Sequence, residues 1–397
     1  MVQLSQEKID RIQESMCTEG YDVLFCRLSV NVLFLTGYWP GNHAVAAIVP
    51  ARGKPTLLVA ETEYDNVIEE ADRTMLDLET YCFESLFELR GIIDSMTTVL
   101  PSILKKMGSV DGVIGIERSF EDGSIARMIG DFKYPSQPTW NALQAALPKA
   151  NLKDATGLIS KLRMIKAQNE IIAIKKAVEI ACMGFDAARQ AIKPGMTEAE
   201  LSAVLESAIL TQGTGRNGAK YSRGFSSIYS GPKSAKQWAH WTHSTGRVIR
   251  DNEIVIMELG SVTDGYWCDL TRNACAGKPS QKAEEILKIV QEAQKRGTSV
   301  AKPGIAIGEI DKACHDYLQQ NGFGPEYYHH SCGHGVGFNY HEGPAVHQAC
   351  NIVLEDGMVL CIEPGVYLPG QFGIRTEDMV LITKDGVEVI SDYPHTF

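Results

Sequence analysis

Hydrophobic and polar positions alternate through the first third of the chain in short apolar runs separated by Gly, Pro and charged residues. Tyr21-Asp-Val-Leu-Phe25, Ala44-Val-Ala-Ala-Ile-Val49 and Thr56-Leu-Leu-Val-Ala60 predict strands. Apolar residues at helical spacing predict helices over 8–19 and 86–104. Strands interleaved with helices indicate an α/β layer domain. Residues 150–156 read as a linker, and a helical pattern then runs from Leu158 to Ile192. A chain of 397 residues exceeds what one hydrophobic core usually supports, so two domains are expected, 1–155 and 156–397.

The second part carries a weak internal repeat. Lys193-Pro-Gly-Met-Thr-Glu-Ala-Glu-Leu matches Lys302-Pro-Gly-Ile-Ala-Ile-Gly-Glu-Ile at Lys, Pro, Gly, the Glu at 200 and 309, and the apolar residue after it. A long helical pattern precedes each Lys-Pro-Gly turn, another follows, and strand patterns come later. Two similar halves facing each other are implied.

The strand patterns of this part place acidic residues among apolar ones. Glu253-Ile-Val-Ile-Met-Glu-Leu-Gly260 and Gly265-Tyr-Trp-Cys-Asp-Leu-Thr-Arg272 flank a turn containing Asp264-Gly265. A loop centred between Thr263 and Asp264 sets Glu258 directly opposite Asp269. Likewise, Met358 to Glu363 and Gly373 to Ile382 flank a loop centred on Gly370, which opposes Glu363 to Glu377. Directly opposed like charges destabilise a sheet, and burying them uncompensated costs several kcal/mol. A cation between them removes both penalties. The plainer reading is that Glu258 or Glu377 is solvated at a strand edge, or is paired with Arg272 or Arg375; two symmetric pairs favour the cation.

Ser331-Cys-Gly-His-Gly-Val-Gly-Phe-Asn-Tyr-His-Glu-Gly-Pro344 sets His334 between glycines, where the backbone can approach a ligand closely. Four carboxylates and an imidazole suit manganese, iron(II), cobalt or zinc, and one or two such ions would activate water. His341 is a candidate for steadying substrate, although a lone loop histidine is more often structural. Gln237-Trp-Ala-His-Trp-Thr-His243, just before the first acidic strand, makes His240 or His243 a candidate proton carrier, with His240 preferred.

Composition narrows the partners. Apolar residues at 44% and charged residues at 22% describe an ordinary globular protein. A net charge of −11 without a Lys/Arg stripe argues against nucleic acid. The first residues lack a signal-peptide pattern and no apolar run is long enough for a membrane span, so a cytoplasmic location and no membrane partner are expected. Ten cysteines without paired spacing fit reduced thiols.

The motifs Glu258-Leu-Gly through Tyr266-Trp-Cys-Asp-Leu-Thr-Arg272, Gly333-His-Gly-Val-Gly337 with His341-Glu342, Ile362-Glu-Pro-Gly-Val-Tyr367 and Ile374-Arg-Thr-Glu-Asp378 resemble the pita-bread metallopeptidase family. That family includes aminopeptidase P, prolidase, methionine aminopeptidase and the metal-free creatinase. Asn31-Val-Leu-Phe-Leu-Thr-Gly-Tyr38 resembles the creatinase-type N-terminal domain. The resemblance implies an α/β N-terminal domain followed by an α+β pita-bread catalytic domain with an internal pseudo-twofold repeat. It further implies a homodimer that cleaves short peptides before proline. The metal ligands would be Glu258, Asp269, His334, Glu363 and Glu377. Asp269 and Glu377 would bridge two metals, with His334 and Glu363 completing one site. Glu363 would also shuttle a proton, and His240, His341 and Arg375 would line the substrate pocket.

Two departures stand out. The family carries Asp where this chain has Glu258, which would bind only the second metal. The Trp-rich segment 237–243 is longer than the family's link to its pocket histidine. The alternatives are a creatinase-like hydrolase of a small amide or other non-peptide C–N bond, and a binding protein that has lost its chemistry.

Overall fold

The computed structural model describes residues 4–40, 45–82, 91–118, 136–236, 244–328 and 330–397. These divide into two compact units, the first ending at Arg163 and the second running from Met164 to Phe397.

The first unit contains α1 (Gln6–Glu19), β1 (Val23–Cys26), α2 (Ser29–Thr36), β2 (Val45–Pro50), β3 (Thr56–Ala60), α3 (Tyr64–Ile68), β4 (Asp77–Tyr81), α4 (Ile92–Lys106), β5 (Val113–Ile116), α5 (Ser136–Ala146), β6 (Asn151–Asp154) and α6 (Thr156–Met164). Its mixed sheet has the order β4-β3-β2-β1-β5-β6. The three predicted strands are present. Helix α1 starts where the Ser5 side chain accepts from the Lys8 N–H, stops at Gly20 in the left-handed region, and buries Ile9, Ile12 and Met16. The helix predicted over 86–104 corresponds to α4, with 86–90 outside the described residues.

Two expectations fail here. Residues 150–156 are not a linker, because β6 pairs in parallel with β5, Leu152 against Ile114. This short edge strand, Asn-Leu-Lys-Asp, is largely exposed and lacks the apolar run that marks its neighbours. The helical stretch 158–192 is two helices, α6 and α7 (Gln168–Ala191), interrupted where Ile165 bridges Met358.

In the second unit α7 is followed by α8 (Glu198–Ala208), β7 (Ser222–Ser230), β8 (Ile254–Thr263) and β9 (Tyr266–Cys275), then α9 (Gln281–Val300), α10 (Gly308–Gln320), β10 (Gly333–Gly335) and β11 (Glu342–Val346). The chain ends with β12 (Val359–Ile362), β13 (Gly365–Leu368), β14 (Phe372–Arg375), β15 (Asp378–Thr383) and β16 (Gly386–Val389). Strands β7-β8-β9 form one sheet, β11-β10-β12-β15-β16 another, and β13-β14 a separate ribbon. The repeat is structural as well as sequential. In each half a long helix, α7 or α9, leads through Lys-Pro-Gly into a shorter one, α8 or α10, with Gly195 and Gly304 at φ of 92° and 85°. Each turn is pinned by an equivalent antiparallel bridge, Thr197 to Val248 and Ala306 to Val353. Among the described residues no helix is long and apolar enough to cross a membrane.

Candidate metal centre

The β8–β9 hairpin turns on two residues, Asp264 and Gly265, at φ of 50° and 87°, so Thr263 pairs with Tyr266. Glu258 therefore faces Thr271, and Asp269 faces Gly260. The predicted direct opposition of Glu258 to Asp269 is incorrect. Asp-Gly is itself the centre of the turn, one position later than expected, which moves every partner by two residues. A shift of two preserves strand parity, so both carboxylates still share a face and are diagonal neighbours.

On the second ribbon the expected register holds, with Ile362 paired to Asp378 and Gly365 to Arg375. Between those rungs the ladder opens, and neither Glu363 nor Glu377 lies in a strand. The Glu363 N–H instead donates to the Cys332 carbonyl (2.7 Å), and the Glu377 N–H to the Thr271 carbonyl (3.2 Å). The two ribbons are stitched together at this point. Arg272, fully buried, donates to the Glu377 carbonyl and to Asp378 Oδ1 (2.7 Å), and Asn273 Nδ2 donates to the Arg375 carbonyl (2.8 Å).

His334 is the middle residue of β10, which lies between β11 and β12. A Cβ at Gly333 would fall 1.9 Å from the Cys361 carbonyl oxygen, and one at Gly335 would fall 2.3 Å from that of Gly343. The glycines thus admit neighbouring strands, not a ligand as their spacing had suggested. Their effect on His334 is nevertheless specific. Its Nδ1 lies 2.9 Å from the Gly335 carbonyl, which can only accept, so Nδ1 carries the proton and Nε2 presents a lone pair. That Nε2 sits 3.3 Å from Asp269 Oδ2 and 3.7 Å from Glu363 Oε1. The His341 ring stacks on His334 at 3.6 Å between centroids, and its Nε2 is also 3.3 Å from Asp269 Oδ2.

The electrostatics show what the cluster lacks. Burial, together with the Glu258 and Glu363 carboxylates, raises the pKa of Asp269 well above its ordinary value. Burial and then Glu377 push Glu363 up to about 7, and burial and then Asp269 push Glu377 up to about 8. Three buried ligand-type atoms, Asp269 Oδ1, His334 Nε2 and Glu377 Oε1, make no hydrogen bond. Orphaned buried groups of this kind are costly, and a divalent cation would satisfy all three at once. One donor atom from each of Asp269, His334, Cys361 and Glu377 lies within 4.8 Å of the others. The residues present fit a metal.

Glu258 stands apart from that set. Its Oε2 accepts from Arg375 Nη2 (2.5 Å), and its Oε1 accepts from the Tyr340 hydroxyl (2.8 Å). Arg375 also donates to Thr271 Oγ1 (3.1 Å), which in turn donates to Glu377 Oε2 (2.8 Å). The pairing of Glu258 with Arg375, weighed from the sequence as the plainer reading, is thus present, while the Arg375 charge offsets the burial of Asp269 and Glu377 only in part. The sequence reading missed Tyr340, Thr271 and Cys361. Parity marks Thr271, which lies two residues from Asp269 on the same face of β9; nothing local marks Cys361 or Tyr340. His240 and His243 lie outside the described residues.

The chain is similar to known proteins over nearly its whole length. An Xaa-Pro dipeptidase of Pyrococcus horikoshii is 32% identical over 386 residues, 96% of each chain. Among solved structures, the Xaa-Pro dipeptidase from Bacillus anthracis superposes with a TM-score of 0.80 at 28% identity, covering 98% of both chains. The prolidase from Pyrococcus horikoshii gives 0.77 at 31% identity, covering 98% of this chain and 99% of the other. The creatinase-type N-terminal and pita-bread architecture is that of these neighbours. Residues 8–165 match the Creatinase/Prolidase N-terminal domain, residues 172–384 match metallopeptidase family M24, and the chain belongs to that family.

Proposed function

We propose that this chain is a metal-dependent Xaa-Pro dipeptidase whose first metal is held by Asp269, His334, Glu363 and Glu377, with a weaker second position reached by Glu258. The observation that carries the reading is the trio of unpartnered buried atoms on Asp269, His334 and Glu377. Full-length similarity to Xaa-Pro dipeptidases supports the substrate class. Bound metal supplies Lewis acidity toward the scissile carbonyl and activates water. The chain supplies the remaining parts. His341, stacked beside His334, donates toward the developing oxyanion, Glu363 carries a proton to the leaving proline nitrogen, and Arg375 fixes Glu258 and lines the substrate side. The resemblance would add His240, which lies outside the described residues, to the same role.

The second position is weak because both Glu258 oxygens are already engaged. Ten free cysteines support a reducing, cytoplasmic compartment, and the resemblance supports a homodimer, which sedimentation would test. The decisive experiment is elemental analysis of protein purified without added metal, followed by hydrolysis of Xaa-Pro dipeptides with manganese, cobalt and zinc. Metal-dependent cleavage is expected. Turnover that survives complete metal removal would move the assignment to a creatinase-like C–N hydrolase.

A further inference from the structure

Cys361 is part of the same buried cluster, yet the ligand reading above gives it no role. It lies on β12 next to the point where the ladder opens, and its thiol sulfur is grouped with donor atoms of Asp269, His334 and Glu377. The side chain is fully buried. Its Sγ is one of the four donor atoms that lie within 4.8 Å of each other, and the other three residues each carry an unpartnered buried atom. The thiol donates to the Asp269 carbonyl over 3.8 Å and also lies within hydrogen-bonding reach of the Glu377 carboxylate, so the sulfur sits directly beside two of the proposed ligands. Ligands around one ion at bonds of about 2.0–2.3 Å are at most about 4.6 Å apart. Around a tetrahedral ion the same bonds set donor atoms about 3.3–3.8 Å apart, so the observed spread closes by up to about 1 Å when an ion binds.

We propose that Cys361 is a sulfur ligand of the first metal position and that it biases this centre toward zinc or cobalt over manganese. This rests on the metal-site reading above. A carboxylate and imidazole site discriminates weakly among these ions, whereas a thiolate favours the softer ones. Coordination forms one sulfur–metal bond and releases the thiol proton to solvent.

The test uses the full chain, stripped with chelator and titrated with cobalt(II). A thiolate-to-cobalt charge-transfer band in the near ultraviolet is expected to grow with the visible cobalt bands and to saturate with the first equivalent. Cys361→Ser should bind cobalt and keep the visible bands but lack the charge-transfer band. Its preference for zinc over manganese should fall by about tenfold or more. Visible cobalt bands without charge transfer in the parent, or a charge-transfer band that persists in Cys361→Ser, would overturn the sulfur ligand and leave the metal site standing. Failure of the parent to take up cobalt at all would overturn both. The parent spectrum alone decides whether a thiolate binds the ion, so an absent charge-transfer band overturns the proposal even if the variant does not fold.

Discussion

Glu117 in the first unit and the Asp269–Glu377 pair in the second are all buried carboxylates, and they are treated in opposite ways. In the first unit Glu117, at 7% exposure, accepts from the backbone N–H groups of Arg27 and Leu28 and from Asn31 Nδ2, while Asn31 accepts from Arg163. Both Glu117 oxygens are occupied, and they lie where α2 begins, a place that favours negative charge. In the second unit Asp269 and Glu377 are buried as deeply, yet each keeps an oxygen with no donor. Burial alone therefore does not distinguish a structural acid from a ligand. The distinction lies in whether its lone pairs are already used.

The largest effect that would break this contrast is at Asp269. Asp269→Ala should abolish metal uptake and reduce kcat by about 1,000-fold or more. Asp269→Asn should do the same to turnover yet raise the thermal midpoint of the metal-free protein, because it removes a carboxyl whose ionisation is disfavoured by burial and by its acidic neighbours. Calorimetry with and without chelator separates the two effects. A metal-free Asp269→Asn protein less stable than the metal-free parent would show that the carboxylate is structural after all.

Glu117 should respond in the reverse sense. Glu117→Ala strands two backbone N–H groups and Asn31, and should cost about 3 kcal/mol of folding stability by denaturant unfolding. Metal stoichiometry should stay unchanged. A loss of metal with no loss of stability would dissolve the distinction between the units.

A third, smaller effect follows from titration of the metal-free protein. Glu363 and Glu377 have folded pKa values raised from 4.5 to about 7 and about 8, so the folded chain holds protons that the unfolded chain releases. Stability from these protonated acids is fully present below pH 4.5 and is lost as pH rises through the folded values. The thermal midpoint of chelated protein should fall by roughly several degrees between pH 5 and 8. Added metal should flatten that slope. A chelated protein that gains stability across this range would contradict the raised values.

How much of this was legible in the sequence depended on the range of the interaction. Strands β1 to β3 and helix α1 follow from local periodicity, and Glu258 and Asp269 were placed on one face because strand parity survives a shift of two residues. The register itself turned on one local fact, the positive φ at both Asp264 and Gly265, which the Asp-Gly pair advertises. The second ribbon's register was read correctly, but the opening of its ladder at Glu363 and Glu377 was not, since it depends on Cys332 and Thr271 far along the chain. Strand β6 reads as a linker because an exposed edge strand needs no apolar face. The grip of Tyr340 on Glu258 spans 82 residues and has no local signature.

That grip leads to the finest test of the contrast, because Glu258 lies among the ligand acids but is satisfied as Glu117 is. Its extra methylene carries its two oxygens to Arg375 and Tyr340, and both hydrogen bonds must loosen before either oxygen can serve a second ion. Glu258→Asp withdraws the carboxylate from these partners and should raise affinity for the second metal equivalent by about tenfold, or ~1.4 kcal/mol. Tyr340→Phe frees only Oε1 and should give a smaller gain in the same direction. Isothermal titration of stripped protein with manganese would resolve the two steps. Equal, tight binding of both equivalents by the parent would mean that the hydrogen bonds of Glu258 impose no barrier, and that an occupied lone pair does not mark an acid as structural in this site.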